Sequence, residues 1–350
     1  MIPFVSTHIL SKETTNLGVK FLEAAFTSLH QAAYPNEIVI LDNGSFEPIF
    51  DLYSTWIPKF KEFDCEVKII KSDANNFCDL RNQCLEHTNP NATYIHWQDT
   101  DEVYYPEDLD ILKNNVIPNH PKFGMGWSTF YHFMIHPFQI QADNLKTKKI
   151  HELVKDDCRS SKDNMFWYHK GLKWVPTKRV HEKMGNVLNF PSLHTGMEYC
   201  HFGYIRPQWV TCLKWLHYDI IEHGHVGHYK TENVFVTEDG VEVPDGTPNS
   251  KMIQKEYLRE WRTPTKDFLW DRRAVCLPFP NVTCREYLPE AAVTMLNGCT
   301  NEKEWSEYCG KLDSIEFLER WEQKYKECNN SWSATLDWVV QEMEKVKWAI

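Results

Sequence analysis

Two aspartates, Asp99 and Asp101, form a DTD triplet directly after the apolar run at residues 93–97. Side chains two residues apart on an extended segment point to the same side, so both carboxylates would face one ligand. Such a pair can hold a hard divalent cation, which neutralises a diphosphate as it leaves. An acidic turn that caps the next helix through Pro106 and Glu107 explains the triplet equally well. A second DxD pattern, at residues 108–110, falls on that predicted helix.

Three further residues have side chains suited to binding or proton transfer, each with a structural alternative. Asp42, in the loop Asp-Asn-Gly-Ser, can hydrogen-bond a base or ribose, although an Asx turn is the common explanation of such a loop. Arg81 can bind a phosphate or form a surface ion pair. Glu182, close in sequence to the aromatic Trp174, can take a proton from a hydroxyl, or its pairing with His181 is structural.

Histidines provide two candidate metal sites. His201, in the sequence His-Phe-Gly-Tyr, is either a ligand or a buried histidine with its hydrogen bonds satisfied. His223, His225 and His228 resemble a metal site, but histidines spaced by glycine after a helix also form a helix C-terminus and loop.

The elements that must position these residues follow a repeating pattern. Apolar runs at 3–10, 37–41, 66–70 and 93–97 alternate with segments of helical periodicity at 17–33, 46–63 and 77–88. This alternation predicts an α/β fold with a parallel, doubly wound sheet. Because ligands of such sheets bind beyond the carboxyl ends of the strands, Thr7, Asp42 and Asp99 should lie near one another.

The rest of the chain is less regular. Residues 123–140 read as strand, 141–163 as a polar loop, 198–204 as a short strand or turn and 208–222 as an amphipathic helix. Glycine and proline cluster at 239–250, which makes this stretch a linker candidate. We therefore predict a domain at residues 1–238 and a helix-rich accessory region at 251–350.

Composition narrows the class of partner. A formal net charge of -11 argues against nucleic acid or an anionic membrane as the main partner. The 11 cysteines contain no CxxC pair, which favours reduced thiols. The start of the chain has no secretory signal and no long apolar stretch, so we expect a cytoplasmic protein without a transmembrane segment.

Five motifs in register resemble family 2 glycosyltransferases of the GT-A fold, particularly the type that adds sugars to lipopolysaccharide cores. They are PNEIVILDNGS at 35–45, Arg81-Asn82, YIHWQDTDE at 94–102, the W...VHE element from Trp174 to Glu182, and HFGY at 201–204. The similarity spans residues 3–220. Residues 245–350 lie outside it.

The resemblance implies an inverting transfer from a UDP- or GDP-sugar to a hydroxyl of a glycan or glycolipid, with Mn²⁺ or Mg²⁺ as cofactor. Asp101 would bind the cation, Asp99 the ribose and the metal shell, and Asp42 the base or ribose. His201 would complete the metal site. Glu182 would be the base, and Thr7, Arg81 and Trp174 would contribute to the donor site.

Two rival functions differ in class. A sugar nucleotidyltransferase can share the sheet and its acidic site, but it needs a glycine-rich, basic loop where this chain has SKETTN. An inactive relative that acts as a binding or scaffold protein would use the aromatic-rich C-terminal region to dock a partner.

Overall fold

The computed structural model describes residues 3–13, 15–74, 77–134, 139–141, 159–176, 182–205, 229–236, 253–260, 281–283, 288–300, 302–312, 323–324 and 327. Its strands are β1 (Val5–Ser11), β2 (Glu37–Asp42), β3 (Glu66–Lys71), β4 (Tyr94–Asp99), β5 (Glu102–Tyr104), β6 (Met125–Met134), β7 (Gln139–Gln141), β8 (Arg159–Trp167), β9 (Lys173–Pro176), β10 (Glu182–Gly185), β11 (Ser192–Tyr204), β12 (Tyr229–Val236), β13 (Ile253–Glu260) and β14 (Asn281–Thr283). Its helices are α1 (Asn16–Gln31), α2 (Pro48–Lys61), α3 (Phe77–His87), α4 (Pro106–Ile111), α5 (Ile117–Asn119), α6 (Glu290–Met295) and α7 (Glu302–Leu312), with a π-helical turn at Leu112–Val116.

The predicted parallel sheet is confirmed in the first hundred residues. β1 to β4 lie in the order β3-β2-β1-β4 and run parallel. The chain moves outward from β1 to β3 and then crosses back to place β4 on the other side of β1. This reversal of strand order creates a crevice at the carboxyl ends of β1 and β4, where ligands of doubly wound sheets bind.

The register brings the predicted acidic loops to one edge of the sheet. Asp42 pairs with Ser11 at the end of β1, and Asp99 pairs with Leu10 one residue earlier. Thr7 lies further back, paired with Ile38 and His96 in the middle of the sheet.

The second half of the eight-stranded sheet is mixed, in the order β8-β6-β11-β5 after β4. β8 is antiparallel to both β4 and β6, whereas β6 and β11 are parallel. The loop predicted at 141–163 is therefore wrong for residues 159–163, which begin β8. The start of β8 does not read as a strand, because it contains polar residues whose partners lie on other strands: Lys162 contacts Glu102, and Asn164 accepts a hydrogen bond from Ser128.

Helix α1 is buried between two clusters of apolar side chains. Thr15 caps its start, with the hydroxyl 3.1 Å from the Gly18 backbone nitrogen. Leu22, Phe26 and Leu29 pack with the parallel strands and α2. Leu17 and Phe21 face the other way, toward β11 and α6. Burial on two sides makes α1 part of the core and fixes the loop that precedes it.

The C-terminal region contributes to this core. Ala291, Ala292 and Met295 of α6 share one hydrophobic cluster with Leu17 and Phe21 of α1. Trp305 of α7 is buried in the same cluster, and its indole nitrogen lies 3.3 Å from the Ile205 carbonyl oxygen. Residues 288–309 thus pack directly on the sheet-forming part of the chain.

The helix-rich accessory region expected at residues 251–350 stays a prediction. The described residues there include β13 and β14 as well as α6 and α7. β13 pairs with β12, and β14 pairs with β7, so each of these strands pairs with an earlier part of the chain. The helix predicted at 208–222, the linker at 239–250, His181 and the histidines at 223–228 lie outside the described residues. No described helix is long and apolar enough to cross a membrane.

Candidate functional site

The DTD triplet lies at the crevice between β1 and β4. Asp99 is the last residue of β4, Thr100 and Asp101 form a turn, and Glu102 begins β5. The expectation that an extended segment directs both aspartates to one side is wrong, because the chain turns between the two carboxylates. Each aspartate accordingly has its own partners.

Asp99 is held by basic and indole groups. Its Oδ2 lies 2.6 Å from Lys162 Nζ, and its Oδ1 accepts a hydrogen bond of 2.9 Å from the Trp97 indole. An Arg81 nitrogen lies 3.8 Å from Oδ1. Burial acts to raise the pKa of Asp99, but Lys162 and Arg81 outweigh it and keep that pKa well below its usual range. The side chain remains 38% exposed, so one side of the carboxylate is open to a ligand.

Glu102 completes a buried group of three charges. One of its oxygens lies 2.7 Å from Lys162 Nζ, and the other accepts the Asp99 backbone N–H at 3.0 Å. Burial, reinforced by Asp99 and opposed by Lys162, raises the pKa of Glu102 to about 7. Burial acts to lower the pKa of Lys162, but Asp99 and Glu102 together raise it. The ammonium group therefore stays charged beside Asp99.

Asp101 pairs with His201, which lies on β11. The Asp101 Oδ1 and His201 Nε2 atoms are 3.5 Å apart, and both side chains are largely buried. Gly203 leaves room beside them, since a Cβ there would come within 2.9 Å of Asp101 Oδ2 and of His201 Nε2. The structure thus brings together two of the three predicted metal ligands.

The chemistry of this pair fits a divalent cation. Ligand atoms at about 2.0–2.2 Å from one ion can lie as much as ~4.4 Å apart, which includes the observed separation. Within the described ranges, no three His, Cys, Asp or Glu side chains cluster closely enough to hold a metal ion. Asp101 and His201 would therefore share the ion with oxygen atoms of a bound substrate, the usual arrangement for Mg²⁺ at phosphates.

Glu13, in the loop after β1, was not among the predicted residues. It is buried, and its Oε1 lies 2.5 Å from the hydroxyl of Thr100, the middle residue of the triplet. The Ser45 hydroxyl lies 3.0 Å from the Glu13 backbone nitrogen. The loops after β1, β2 and β4 are thereby joined at one point.

Asp42 shapes its own loop. Its Oδ1 accepts the backbone N–H groups of Gly44 and Ser45, each at 3.1 Å, and its Oδ2 accepts the Tyr53 hydroxyl at 3.1 Å. The Asx-turn alternative therefore describes its contacts. Thr7 is fully buried within β1, away from the edge where the loops meet. The donor-binding roles of these two residues stay predictions.

Arg81 joins three predicted residues into one cluster. Its guanidinium carbon lies 3.6 Å from the centre of the Trp97 ring and 4.7 Å from that of Trp174. It forms an ion pair with Glu182, the first residue of β10. Arg81 is largely buried and also reaches Asp99, so it is not the surface ion pair of the alternative interpretation.

Asn82 fixes this cluster to the neighbouring strand. Its side-chain amide exchanges two hydrogen bonds with the Trp174 backbone, at 2.8 and 3.1 Å. The middle of α3 and strand β9 therefore hold Arg81 and Trp174 at a set distance. The Arg81 guanidinium therefore lies between the Asp99 carboxylate and Glu182, the candidate base.

Lys162, Glu102 and Glu13 are the site residues that sequence reasoning missed. Glu102 adjoins the triplet, and Glu13 is the acidic residue of the loop after the first strand, so position alone offered a signal for both. Lys162 gave no such signal, because it reaches Asp99 only through the pairing of β8 with β4.

Comparison with known proteins gives a family match for part of the chain. Residues 14–152 match the family described as Glycosyl transferase family 2. A search among curated proteins gave no match.

Solved structures that align with the chain do so at low identity. S. aureus TarS 1-349 is 13% identical over 47% of this chain and 47% of its own, with a TM-score of 0.29. S. aureus TarS is 12% identical over 62% of this chain and 40% of its own, with a TM-score of 0.35. Mannosyltransferase PcManGT from Pyrobaculum calidifontis in complex with GDP-Man and Mn²⁺ is 14% identical over 38% of this chain and 36% of its own, with a TM-score of 0.29. The chain thus spans less than half the length of each.

Proposed function

We propose that this chain, whose residues 14–152 match the family described as Glycosyl transferase family 2, transfers a sugar from a nucleoside diphosphate donor to a hydroxyl group with inversion at the anomeric carbon. The observation that carries this proposal is the Asp101–His201 pair, 3.5 Å apart at the crevice where the strand order reverses. Asp99, one turn residue away, has an open side for the same donor.

The donor would lie across the carboxyl ends of β1 and β4 with its diphosphate toward Asp101. Arg81 forms an ion pair with the candidate base, and its planar guanidinium suits bidentate contact with phosphate oxygens. The donor would be a UDP- or GDP-sugar, as the resemblance to family 2 glycosyltransferases implies. The acceptor would be a hydroxyl of a glycan or glycolipid.

Glu182 is the group placed to accept the proton. As the acceptor oxygen bonds to the anomeric carbon, the bond from that carbon to the diphosphate oxygen breaks, and the hydroxyl proton passes to the Glu182 carboxylate. Attack from the side opposite the diphosphate gives inversion. Arg81 forms an ion pair with the Glu182 carboxylate that would take this proton.

Asp101 and His201 would hold the divalent cation. When bound, the cation supplies positive charge to the leaving diphosphate. A mixed carboxylate and imidazole pair favours Mn²⁺ over Mg²⁺, which prefers oxygen ligands. Asp99 and Arg81, whose side chains lie 3.8 Å apart, would meet the donor beside that diphosphate.

The test is donor turnover and nucleotide binding in matched variants. We expect the purified chain to hydrolyse or transfer from one of a panel of UDP- and GDP-sugars with Mn²⁺, and to bind the matching nucleoside diphosphate more tightly with Mn²⁺ in calorimetry. Asp101→Ala should lower turnover by about 100-fold or more, because the developing charge on the diphosphate loses its counter-ion.

Asp110→Ala is the control, since it removes an exposed aspartate of the second DxD on α4. It should leave turnover unchanged. Turnover of a nucleoside triphosphate with a sugar phosphate would instead identify a nucleotidyltransferase. Absence of binding to every donor and nucleotide, with and without Mn²⁺, would rule out the transferase.

A further inference from the structure

Lys162 is a cation, 21% exposed, in contact with both Asp99 and Glu102. We infer that Lys162 is a positioning residue that holds the Asp99 carboxylate as a hydrogen-bond acceptor for a hydroxyl of the nucleotide donor, and that it keeps divalent metal away from Asp99. This inference rests on the proposed function. It predicts that the protein binds a nucleotide without metal, and that this metal-independent affinity depends on Lys162.

The first step is that Lys162 fixes the carboxylate. Lys162 Nζ lies 2.6 Å from Asp99 Oδ2, while the Trp97 indole nitrogen lies 2.9 Å from Oδ1. Donors on both oxygens set the plane of the group. A carboxylate has about four sites for accepting hydrogen bonds, so sites remain for a ligand. The exposed 38% of the side chain gives a ligand access to them.

The second step is that Lys162 is itself held in place. Its ammonium lies 2.7 Å from Glu102 Oε1, and Glu102 Oε2 accepts the Asp99 backbone N–H at 3.0 Å. Glu102 therefore binds both the cation and the backbone of the residue that the cation positions. The backbone of Lys162 pairs with Ser128 inside the sheet, which leaves the side chain little freedom.

The third step is electrostatic. A divalent cation bound to Asp99 would lie within about 5 Å of the Lys162 ammonium and would be repelled by it. Asp101 lies 3.5 Å from the imidazole of His201, a group that can itself bind a metal. Lys162 thus favours hydroxyl groups over divalent cations as ligands of Asp99.

The experiment measures UDP and GDP affinity by calorimetry in EDTA and again with Mn²⁺. Lys162→Met should weaken binding in EDTA by about 10-fold or more, because Asp99 loses its charged partner. Lys162→Arg, which keeps a cation, should recover much of that loss. Lys61→Met, which removes an exposed lysine at the end of α2, is the control and should bind as the wild type does.

A double-mutant cycle tests whether Lys162 acts through Asp99. In an Asp99→Asn background, Lys162→Met should cause no further loss in EDTA. Lys162→Met leaves the buried Glu102 carboxylate without its cation and could unfold the protein. The double variant Lys162→Gln/Glu102→Gln avoids this, because it replaces both charged groups with neutral amides. It should show the same loss in EDTA. Melting curves confirm that each variant is folded.

Three results would overturn the inference. The first is that the wild type does not bind nucleotide in EDTA. The second is that a folded Lys162→Met or Lys162→Gln/Glu102→Gln variant binds nucleotide in EDTA as tightly as the wild type, and the third is that Lys162→Met lowers nucleotide affinity further in the Asp99→Asn background. In each case binding with Mn²⁺ would persist in the wild type. Failure of the proposed function looks different, because no nucleotide would then bind under either condition.

Discussion

At the scale of single residues, the two aspartates of the DTD triplet have different surroundings although only one residue separates them. Asp99 is in contact with the cations Lys162 and Arg81, whereas Asp101 lies 3.5 Å from His201, whose imidazole can bind a metal. A divalent cation at Asp99 would therefore be repelled by two neighbouring charges. The absence of a side chain at Gly203 is what keeps space beside this second pair.

Gly203→Ala should weaken metal-assisted nucleotide binding by about 10-fold while the fold stays intact. The new Cβ would lie 2.9 Å from both Asp101 Oδ2 and His201 Nε2, so one of them must move. Alanine is otherwise favoured over glycine in a strand by ~0.5–1 kcal/mol, so the melting temperature should not fall. Calorimetry with UDP or GDP, with Mn²⁺ and in EDTA, measures the effect.

His201→Ala provides the comparison for that variant. If Gly203→Ala acts through the metal pair, it should add nothing once the imidazole is gone. An equal loss of affinity in EDTA and in Mn²⁺ would show that Gly203 affects the donor site by another route.

At the scale of elements, the loop between β1 and α1 packs closely against both the DTD turn and the first turn of α1. Glu13 in this loop contacts Thr100, and the first turn of α1 passes so close that a Cβ on Gly18 would lie 1.9 Å from Glu13 Oε2. The glycine thus lets an acidic residue lie against the start of a helix. The helix start and the DTD turn depend on the same contact.

Gly18→Ala should destabilise the protein by about 1–2 kcal/mol, although the same change in an ordinary helix stabilises by ~1 kcal/mol. Glu13 would have to move, and the Thr100 hydroxyl would lose its acceptor. Urea unfolding measures the change in free energy. In a Glu13→Ala background the sign should reverse, because the obstructing carboxylate is absent. A stabilising Gly18→Ala in the wild type would contradict the described packing.

The elements also differ in how well local sequence predicts them. β1 to β4 and α1 to α3 were predicted close to their observed bounds, because apolar periodicity within each segment determines them. β8 was missed, because Lys162 and Asn164 are polar residues whose partners lie on other strands. The same division applies to the site, where residue identities were predicted but contacts between them were not. Arg81, Trp174 and Glu182 were named from their residue types, while their mutual contacts through α3, β9 and β10 required the structure.

For the whole molecule, the C-terminal residues 288–309 belong to the same hydrophobic core as α1. Trp305 is 2% exposed and lies in one cluster with Leu17, Phe21 and Phe202. The division into domains at 1–238 and 251–350 remains a prediction, and these contacts argue that the first part is incomplete without α6 and α7. Large apolar side chains of α1 and β11 would otherwise face water.

Trp305→Ala should lower the free energy of unfolding by about 3–5 kcal/mol, because it opens a cavity in this cluster. Lys303→Ala, on the same helix and 86% exposed, is the matched control and should have little effect. A chain ending at residue 287 should melt at a lower temperature than the full chain, or aggregate. Equal melting temperatures for the two chains would instead support the division into independent domains.

The placement of β8 bears on the order in which the nascent protein can fold. Its partners β4 and β6 both precede it in the chain, and they are joined only across it. While the polypeptide leaves the ribosome, the outer backbone groups of β4 stay unpaired until residues 159–167 have emerged. An exposed strand edge of this kind invites pairing with other chains. Slow synthesis through the preceding stretch would therefore prolong the period in which the half-made sheet is prone to aggregate.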